Sequence, residues 1–401
     1  MHQPRVAILT GGGDRPYALG LAGSLIADGI ACDFVASDDL ESPQLQQSPL
    51  VRFLNLRGDM SPDTPMVRKL YRVVRYYARL IAYALKSDAP IFHVLWNNKF
   101  EYFDRTLLLT LYRLLGKRLV LTVHNVNIRK RDGNDTLLNR LTLRYQYRLV
   151  DHLFVHSLRM AEQLRGEFEV PAYKISVIPF GINSTVPDTA LTTTEARARL
   201  GFRPTDKVLL FFGNIARYKG LDLLVEAMPS VLTHYREARL VIAGRPKGAD
   251  AYWAGIERRI DELGIGACVT RRIEYVPDED TEIYFKAADL LVLPYTHVFQ
   301  SGVLFLGYNF GLPVVATDVG SLREEIVDGE TGYVCKAADP QAIATAICRY
   351  LSSELFRGLA SRRLAIRRHA AQRYSWSAVA ATSRGVYERV LAGDRNGSAV
   401  L

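Results

Sequence analysis

The sequence has little of what would staple a secreted scaffold or carry a chain through a bilayer. Four cysteines in 401 residues, Cys32, Cys268, Cys335 and Cys348, stand far apart with no CxxC or Cys/His cluster, which argues against a disulfide framework or a zinc site. No apolar run reaches the roughly eighteen residues of a membrane-spanning helix. MHQPRVAILTGGG at the start carries no apolar signal core, so a cytoplasmic chain is expected. There is no GxGxxG turn: Gly11-Gly12-Gly13 has a different spacing and no suitably placed acidic residue after it, which disfavours a nicotinamide dinucleotide. Carboxylates are missing altogether between Asp289 and Asp318.

What is present is an ordinary globular composition, 48% hydrophobic and 23% charged, at a length that suggests two or three domains. Short apolar, β-branched runs alternate with helical patterns. RVAILT, ACDFVAS, PIFHVLW, KRLVLTVH, DHLFVHS and KISVIPF occupy the first half, and KVLLFFG, ARLVIAG, ADLLVLPY and PVVATD the second. Continuous apolar strands between amphipathic helices indicate parallel sheets covered on both faces. The expectation is two doubly wound α/β units, 1–185 and 186–373, with a seam in the turn-rich stretch 181–202. A terminal helix and tail follow over 374–401, the end of which, DRNGSAVL, reads as frayed.

The net charge of +9 is local: residues 51–150 hold 19 Lys and Arg against seven Asp and Glu, so the remainder is slightly acidic. Within 67–86 there are six basic and no acidic side chains. Arg68, Arg72, Arg75 and Arg79 recur along one helical stripe. Leu70, Val73, Val74, Tyr77, Leu80, Ile81 and Ala84 recur along another. Two readings stay open: a core-packed helix with a solvated charged face, or a helix resting on anionic lipid headgroups. No recognition motif for nucleic acid accompanies the stripe.

Function in doubly wound folds sits at the carboxyl ends of strands, where loops meet helix N-termini. Gly11-Gly12-Gly13 follows the first strand, either as a tight turn or as a close approach of backbone to ligand. LTVHNVN puts His124 at a strand's carboxyl end. FFGNIARYKGLDLLVEA joins a strand, the Gly213 turn, Asn214, the cations Arg217 and Lys219 and an amphipathic helix, a natural diphosphate site. In 288–333 a buried strand ends at Pro294. A polar loop with His297, Gln300, Ser301 and Gly302 leads into an apolar helix near Val303, whose first backbone amides suit a phosphate.

Across nearly its whole length, through the GGG loop, TVHN, VIPFGIN, GNIARYKGLDLLVEA, LVIAG, AADLLVLPY, GLPVVATDVGSLREEIVDGETGYV and the YSW helix, the chain resembles the family 4 glycosyltransferases of the GT-B fold. The resemblance implies two Rossmann-like domains facing across a cleft, with the terminal helix returning to the N-terminal domain. It implies a nucleotide-diphosphate-sugar donor, UDP- or GDP-linked, held by the C-terminal domain, and an acceptor held by the N-terminal one. Transfer would be retaining, without metal or cofactor, to a glycan or lipid-linked acceptor in surface-polysaccharide synthesis, peripheral to the inner face of a membrane. On this resemblance Lys219 matches the diphosphate-binding lysine and His124 the histidine near the donor sugar. Gly12 and Gly13 match the glycine loop at the reaction centre. Arg217, Gln300, Ser301, Gly302 and Val303 are candidate donor contacts. Two departures stand out. Asn214 follows Gly213 where the family has arginine, and the family's paired glutamates are replaced by Val298 and Leu306 in a QSGV-containing variant. A sugar-nucleotide-binding protein without transferase activity is the competing reading.

Overall fold

The computed structural model describes residues 5–58, 65–131, 133–181, 186–246 and 248–393. The chain divides into two compact units, Met1–Gly181 with Tyr374–Leu401, and Ile182–Arg373. Each is described by itself.

The first unit is a seven-stranded, wholly parallel sheet in the order β3-β2-β1-β4-β5-β6-β7. Its strands are β1 (Val6–Leu9), β2 (Cys32–Ala36), β3 (Val51–Asn55), β4 (Ile91–Val94), β5 (Arg118–Thr122), β6 (His152–Val155) and β7 (Ile175–Val177). β1, β2, β4 and β6 are buried at every residue, as strands covered by helices on both faces must be. The helix Arg15–Ala27 leaves β1 toward β2, whereas the chain returns from β3 to β4 and then runs outward to β7. Right-handed crossovers therefore put the helix Met66–Lys86, the helical segment 101–114 and the helix Leu137–Leu149 together on the face opposite Arg15–Ala27. The terminal helix Trp376–Ala392 packs on the Arg15–Ala27 side. Arg384 pairs with Asp28 at 2.6 Å, and the Tyr387 hydroxyl meets buried His93 Nδ1 at 2.7 Å. The expected return of this helix to the N-terminal unit is thus observed, while DRNGSAVL lies outside the described residues.

The second unit is a six-stranded parallel sheet ordered β10-β9-β8-β11-β12-β13. Its strands are β8 (Lys207–Phe212), β9 (Ala238–Ala243), β10 (Val269–Arg272), β11 (Leu290–Leu293), β12 (Val314–Thr317) and β13 (Gly332–Cys335). The stretch 181–202, expected to be only a seam, contains the helix Thr193–Leu200, started by a Thr192/Glu195 capping box. Arg197 of this helix pairs with buried Asp289 at 2.6 Å, tying it into the second unit. Residues 182–185 of the seam lie outside the described residues.

Three strands, β3, β10 and β13, went unread in the sequence. All are edge strands, and β3 and β10 are half-exposed, so they lack the fully apolar signature of a central strand. The basic helix forms as expected, but its apolar stripe is only half in the core: Tyr77, Leu80 and Ala84 are buried, whereas Leu70 and Val74 are exposed. The reason is length. Twenty-one helical residues reach about 31 Å, roughly twice the span of a four- or five-residue strand, so the first two turns overhang the sheet. Arg72 is half-buried, unlike exposed Arg68, Arg75 and Arg79.

Candidate functional site

Both sheets reverse their strand order at one place, between β1 and β4 in the first and between β8 and β11 in the second. Such switch points open a crevice at the carboxyl ends of the strands. The singled-out loops after β1 and β8 end up there, each against the loop after its neighbouring strand.

In the first unit the glycine loop is explained by protein packing. Gly11 and Gly12 sit at φ +60° and +75°. A Cβ on Gly11 would lie 2.1 Å from the Trp96 carbonyl oxygen, one on Gly13 2.0 Å from the Trp96 ring, and one on Gly12 1.5 Å from the Arg57 guanidinium. The following helix N-terminus is closed to phosphate. Asp14 caps it, accepting from Tyr17 N–H at 2.9 Å, and Pro16 in the first turn has no N–H to offer. An anionic side chain of the chain itself therefore takes the Tyr17 amide at this helix start.

His124, two residues past β5, stacks on Trp96 with centroids 4.1 Å apart and planes 2° from parallel, and meets the edge of Tyr17 at 4.7 Å. Its Nδ1 lies 3.2 Å from His156 Nε2, and His156 Nδ1 lies 3.3 Å from the Ile178 carbonyl oxygen. That carbonyl can only accept, so His156 Nδ1 carries the proton. Burial lowers His156 to about 4, so it is neutral near pH 7 and its Nε2 is an acceptor. His124 Nδ1–H must then donate to it, which leaves His124 Nε2 with a lone pair. That atom is buried without a partner among the described residues. Burial first, then His156 and His93, hold His124 well below the ordinary histidine value. His124 is thus a fixed neutral acceptor suited to a sugar hydroxyl. Beside it, a cavity of about 150 Å³ is lined in part by Asn97, Glu101, Arg105, Asn125 and Gln146.

In the second unit, Gly213 (φ +98°) ends β8, and Lys219 closes the short turn Arg217–Lys219 before the helix Leu221–His234. A Cβ on Gly213 would lie 2.9 Å from Lys219 Nζ and 3.5 Å from a Val303 methyl. Gly220 (φ +64°) presses on the Pro294 carbonyl, and Thr296 N–H donates to the Tyr218 carbonyl at 2.8 Å, locking the two loops together. Lys219 is buried, and burial alone lowers it from 10.5 to about 8. Among the described residues no carboxylate pairs with its ammonium, whose neighbour is the Tyr295 ring at 5.7 Å. The Tyr295 hydroxyl meets Ser301 Oγ at 3.3 Å, so Ser301 does not cap the helix Gly302–Asn309, and the first amides there lack a side-chain cap. Both polar atoms of the Gln300 amide are buried without partners among the described residues. A buried cation without a counter-ion, an unsatisfied amide and an uncapped helix start describe a site built for an anion.

Lys219, Gly213 and Val303 are thus brought together, with Ser301 joined through Tyr295. Asn214 is exposed, and Arg217 is exposed with its guanidinium over the Tyr252 ring at 5.3 Å. The positions of the paired glutamates hold buried apolar side chains, Val298 and Leu306. Trp96, His156, Arg57 and Tyr295 were not singled out in the sequence. Their only signal was position just past strands β4, β6, β3 and β11.

Two Rossmann-like parallel sheets, each with polar groups gathered at its switch point, are the architecture of the GT-B glycosyltransferases. A family model described as Glycosyltransferase Family 4 matches residues 11–186, and one described as Glycosyl transferases group 1 matches 206–353. The chain belongs to the family 4 glycosyltransferases of the GT-B fold. Among curated relatives, a D-inositol 3-phosphate glycosyltransferase of Corynebacterium urealyticum is 30% identical over 239 residues, which is 56% of this chain and 54% of that protein. The chain thus spans little more than half the length of such relatives. Among solved structures, sucrose-phosphate synthase from Thermosynechococcus elongatus shares the fold at a TM-score of 0.74 and 20% identity, covering 98% of this chain and 100% of that one. Anabaena HepE, solved with UDP and glucose, shares it at 0.72 and 16%, with the same coverage.

Proposed function

We propose that the chain is a retaining glycosyltransferase that moves a sugar from a nucleoside-diphosphate sugar to a glycan or lipid-linked acceptor, without a metal or cofactor. The observation that carries this reading is Lys219, a buried ammonium at the β8 switch point with no counter-ion among the described residues. The second unit takes the donor: Lys219 and the amides of Gly302 and Val303 neutralise the diphosphate, and Gln300 satisfies its amide on the donor. Arg217 assists from the rim of the turn. The UDP and glucose held by the Anabaena neighbour support a nucleotide-sugar ligand, UDP- or GDP-linked.

The first unit takes the acceptor beside His124. As the bond from the anomeric carbon to the diphosphate breaks, negative charge grows on the leaving oxygen, and the fixed cation and amides stabilise it. The acceptor hydroxyl attacks from the same side and its proton passes to the departing phosphate oxygen, so no carboxylate nucleophile is needed. The empty carboxylate record between Asp289 and Asp318 agrees with this route. His124 Nε2 accepts a hydrogen bond from a sugar hydroxyl and orients the ring.

The test is a calorimetric panel of UDP, GDP, ADP, TDP and CMP, followed by transfer assays with the sugar donor of whichever binds and NMR of the product's anomeric proton. One nucleotide binding, with transfer and an unchanged anomeric configuration, is expected. Binding without transfer or hydrolysis across donors and acceptors would instead assign a binding protein, the reading that buried Val298 and Leu306 favour.

A further inference from the structure

Among the described residues, eleven of the sixteen exposed large apolar side chains lie on three helical segments of the first unit, Met66–Lys86, 101–114 and Leu137–Leu149. These three share one face of the sheet. Scattered exposed apolar side chains are normal, but this concentration is not.

Seven of the eleven, on the first turns of Met66–Lys86 and of Leu137–Leu149, also gather at one end of that face. The basic helix starts beyond the carboxyl end of β3, and its overhanging turns carry Val67, Leu70, Tyr71 and Val74, all more than half exposed. Its packed half begins at Tyr76 and Tyr77, whose hydroxyls meet Asn98 and the Phe100 N–H just past the carboxyl end of β4. The overhang therefore projects on the side of the sheet where the Gly11–Gly13 loop and His124 lie. The helix Leu137–Leu149 likewise begins past the carboxyl end of β5, and its first turns expose Leu138 and Leu141. Tyr145 on the same ridge meets Thr110 at 2.6 Å, which joins this ridge to the middle segment and its exposed Leu107.

Charge is distributed to match. Arg140, Arg144 and Arg148 pair with Asp135 and Glu169, so the third helix contributes mainly apolar surface. Arg68, Arg75 and Arg79 make no ion pair among the described residues, and their helix has no acidic residue at all. Apolar side chains that reach past a row of unpaired arginines are the composition of a surface that inserts shallowly into an anionic bilayer while its cations meet the headgroups.

We propose that this rim, the overhanging turns of Met66–Lys86 with the first turns of Leu137–Leu149, docks the protein onto an anionic lipid bilayer. It deepens the reading of the acceptor as lipid-linked, because the docked rim is at the end of the sheet that carries His124, but it does not depend on transferase activity.

The test is co-sedimentation of the full chain, without donor, with phosphatidylglycerol-containing and pure phosphatidylcholine vesicles, together with its mass in solution by light scattering. The expected result is binding to the anionic vesicles that falls with salt. Reversing Arg68, Arg75 and Arg79 to Glu lowers it about a hundred-fold or more. The pair Leu138→Ser and Leu141→Ser weakens it separately, with melting temperatures unchanged because all five side chains are exposed. Absence of binding at low salt, or binding indifferent to both variants, overturns the proposal. So does a dimer that both variants convert to monomer, which would assign the rim to a second copy of the chain. A protein that binds nucleotide but not vesicles loses only the docking rim; one that binds vesicles but no nucleotide loses only the transferase reading.

Discussion

His156 Nε2 stands 3.2 Å from His124 Nδ1, and because His156 Nδ1–H is committed to the Ile178 carbonyl, this contact decides which nitrogen of His124 is bare. Replacing His156 by Phe frees His124 to take the other tautomer. Turnover is expected to fall by up to about ten-fold, the worth of one hydrogen bond, while His156→Gln, which can both donate and accept, retains most of it. Nitrogen NMR of the His124 ring reads the tautomer directly. An unchanged ring spectrum in the Phe variant would remove the role given to His156.

Lys219 costs the empty protein stability and repays it on binding an anion. Lys219→Met is expected to raise the melting temperature of the ligand-free protein near pH 7, because a desolvated charge disappears. It should also weaken nucleoside-diphosphate binding by roughly ten- to a hundred-fold, the range for a charged hydrogen bond. Calorimetry and thermal unfolding measure both. A variant that loses stability and keeps its affinity contradicts the assignment.

The same residue sets a pH dependence. Its folded pKa is lowered to about 8 against 10.5 when unexposed to burial. The unfolded chain therefore binds more protons between these values, and stability contributed at this site rises as pH rises from 8 toward 10.5. A bound diphosphate favours the charged form, so affinity is full below pH 8 and declines above it. Lys219→Met should flatten both profiles between pH 7 and 10. A wild-type affinity constant across that range would show that Lys219 does not meet the ligand's charge.

Gly13 and Gly23 should respond oppositely to alanine. At Gly13 the added methyl runs into the Trp96 ring, and displacing that ring unstacks it from His124, so turnover should fall at least several-fold. At Gly23 nothing lies within 4 Å of the added methyl. This helical position should gain about 0.5–1 kcal/mol. Paired denaturant titrations and rate assays separate the two; equal effects would mean that Trp96 does not set the His124 ring.

Fully buried strands such as β1, β11 and β12 were legible because burial on both faces demands unbroken apolar runs. The turns after them were legible because glycine best accepts φ +98° at Gly213, and at Gly220 a Cβ would lie 2.0 Å from the Pro294 carbonyl oxygen. His124 and Lys219 could be singled out from their place after such strands. Edge strands β3, β10 and β13 were not legible, since an edge is not held to that pattern. Only the tertiary structure decided that the Gly11–Gly13 loop answers to Trp96 and Arg57, that Asp14 caps the helix behind it, and that Arg217 lies over Tyr252 while Lys219 has no counter-ion among the described residues. Only it, too, set the tautomer of His124, through a histidine 32 residues away. Local sequence fixes what a residue can do chemically and which backbone shape it accepts. Which strands become neighbours decides what it meets, because reversal of strand order brings together loops separated by dozens of residues.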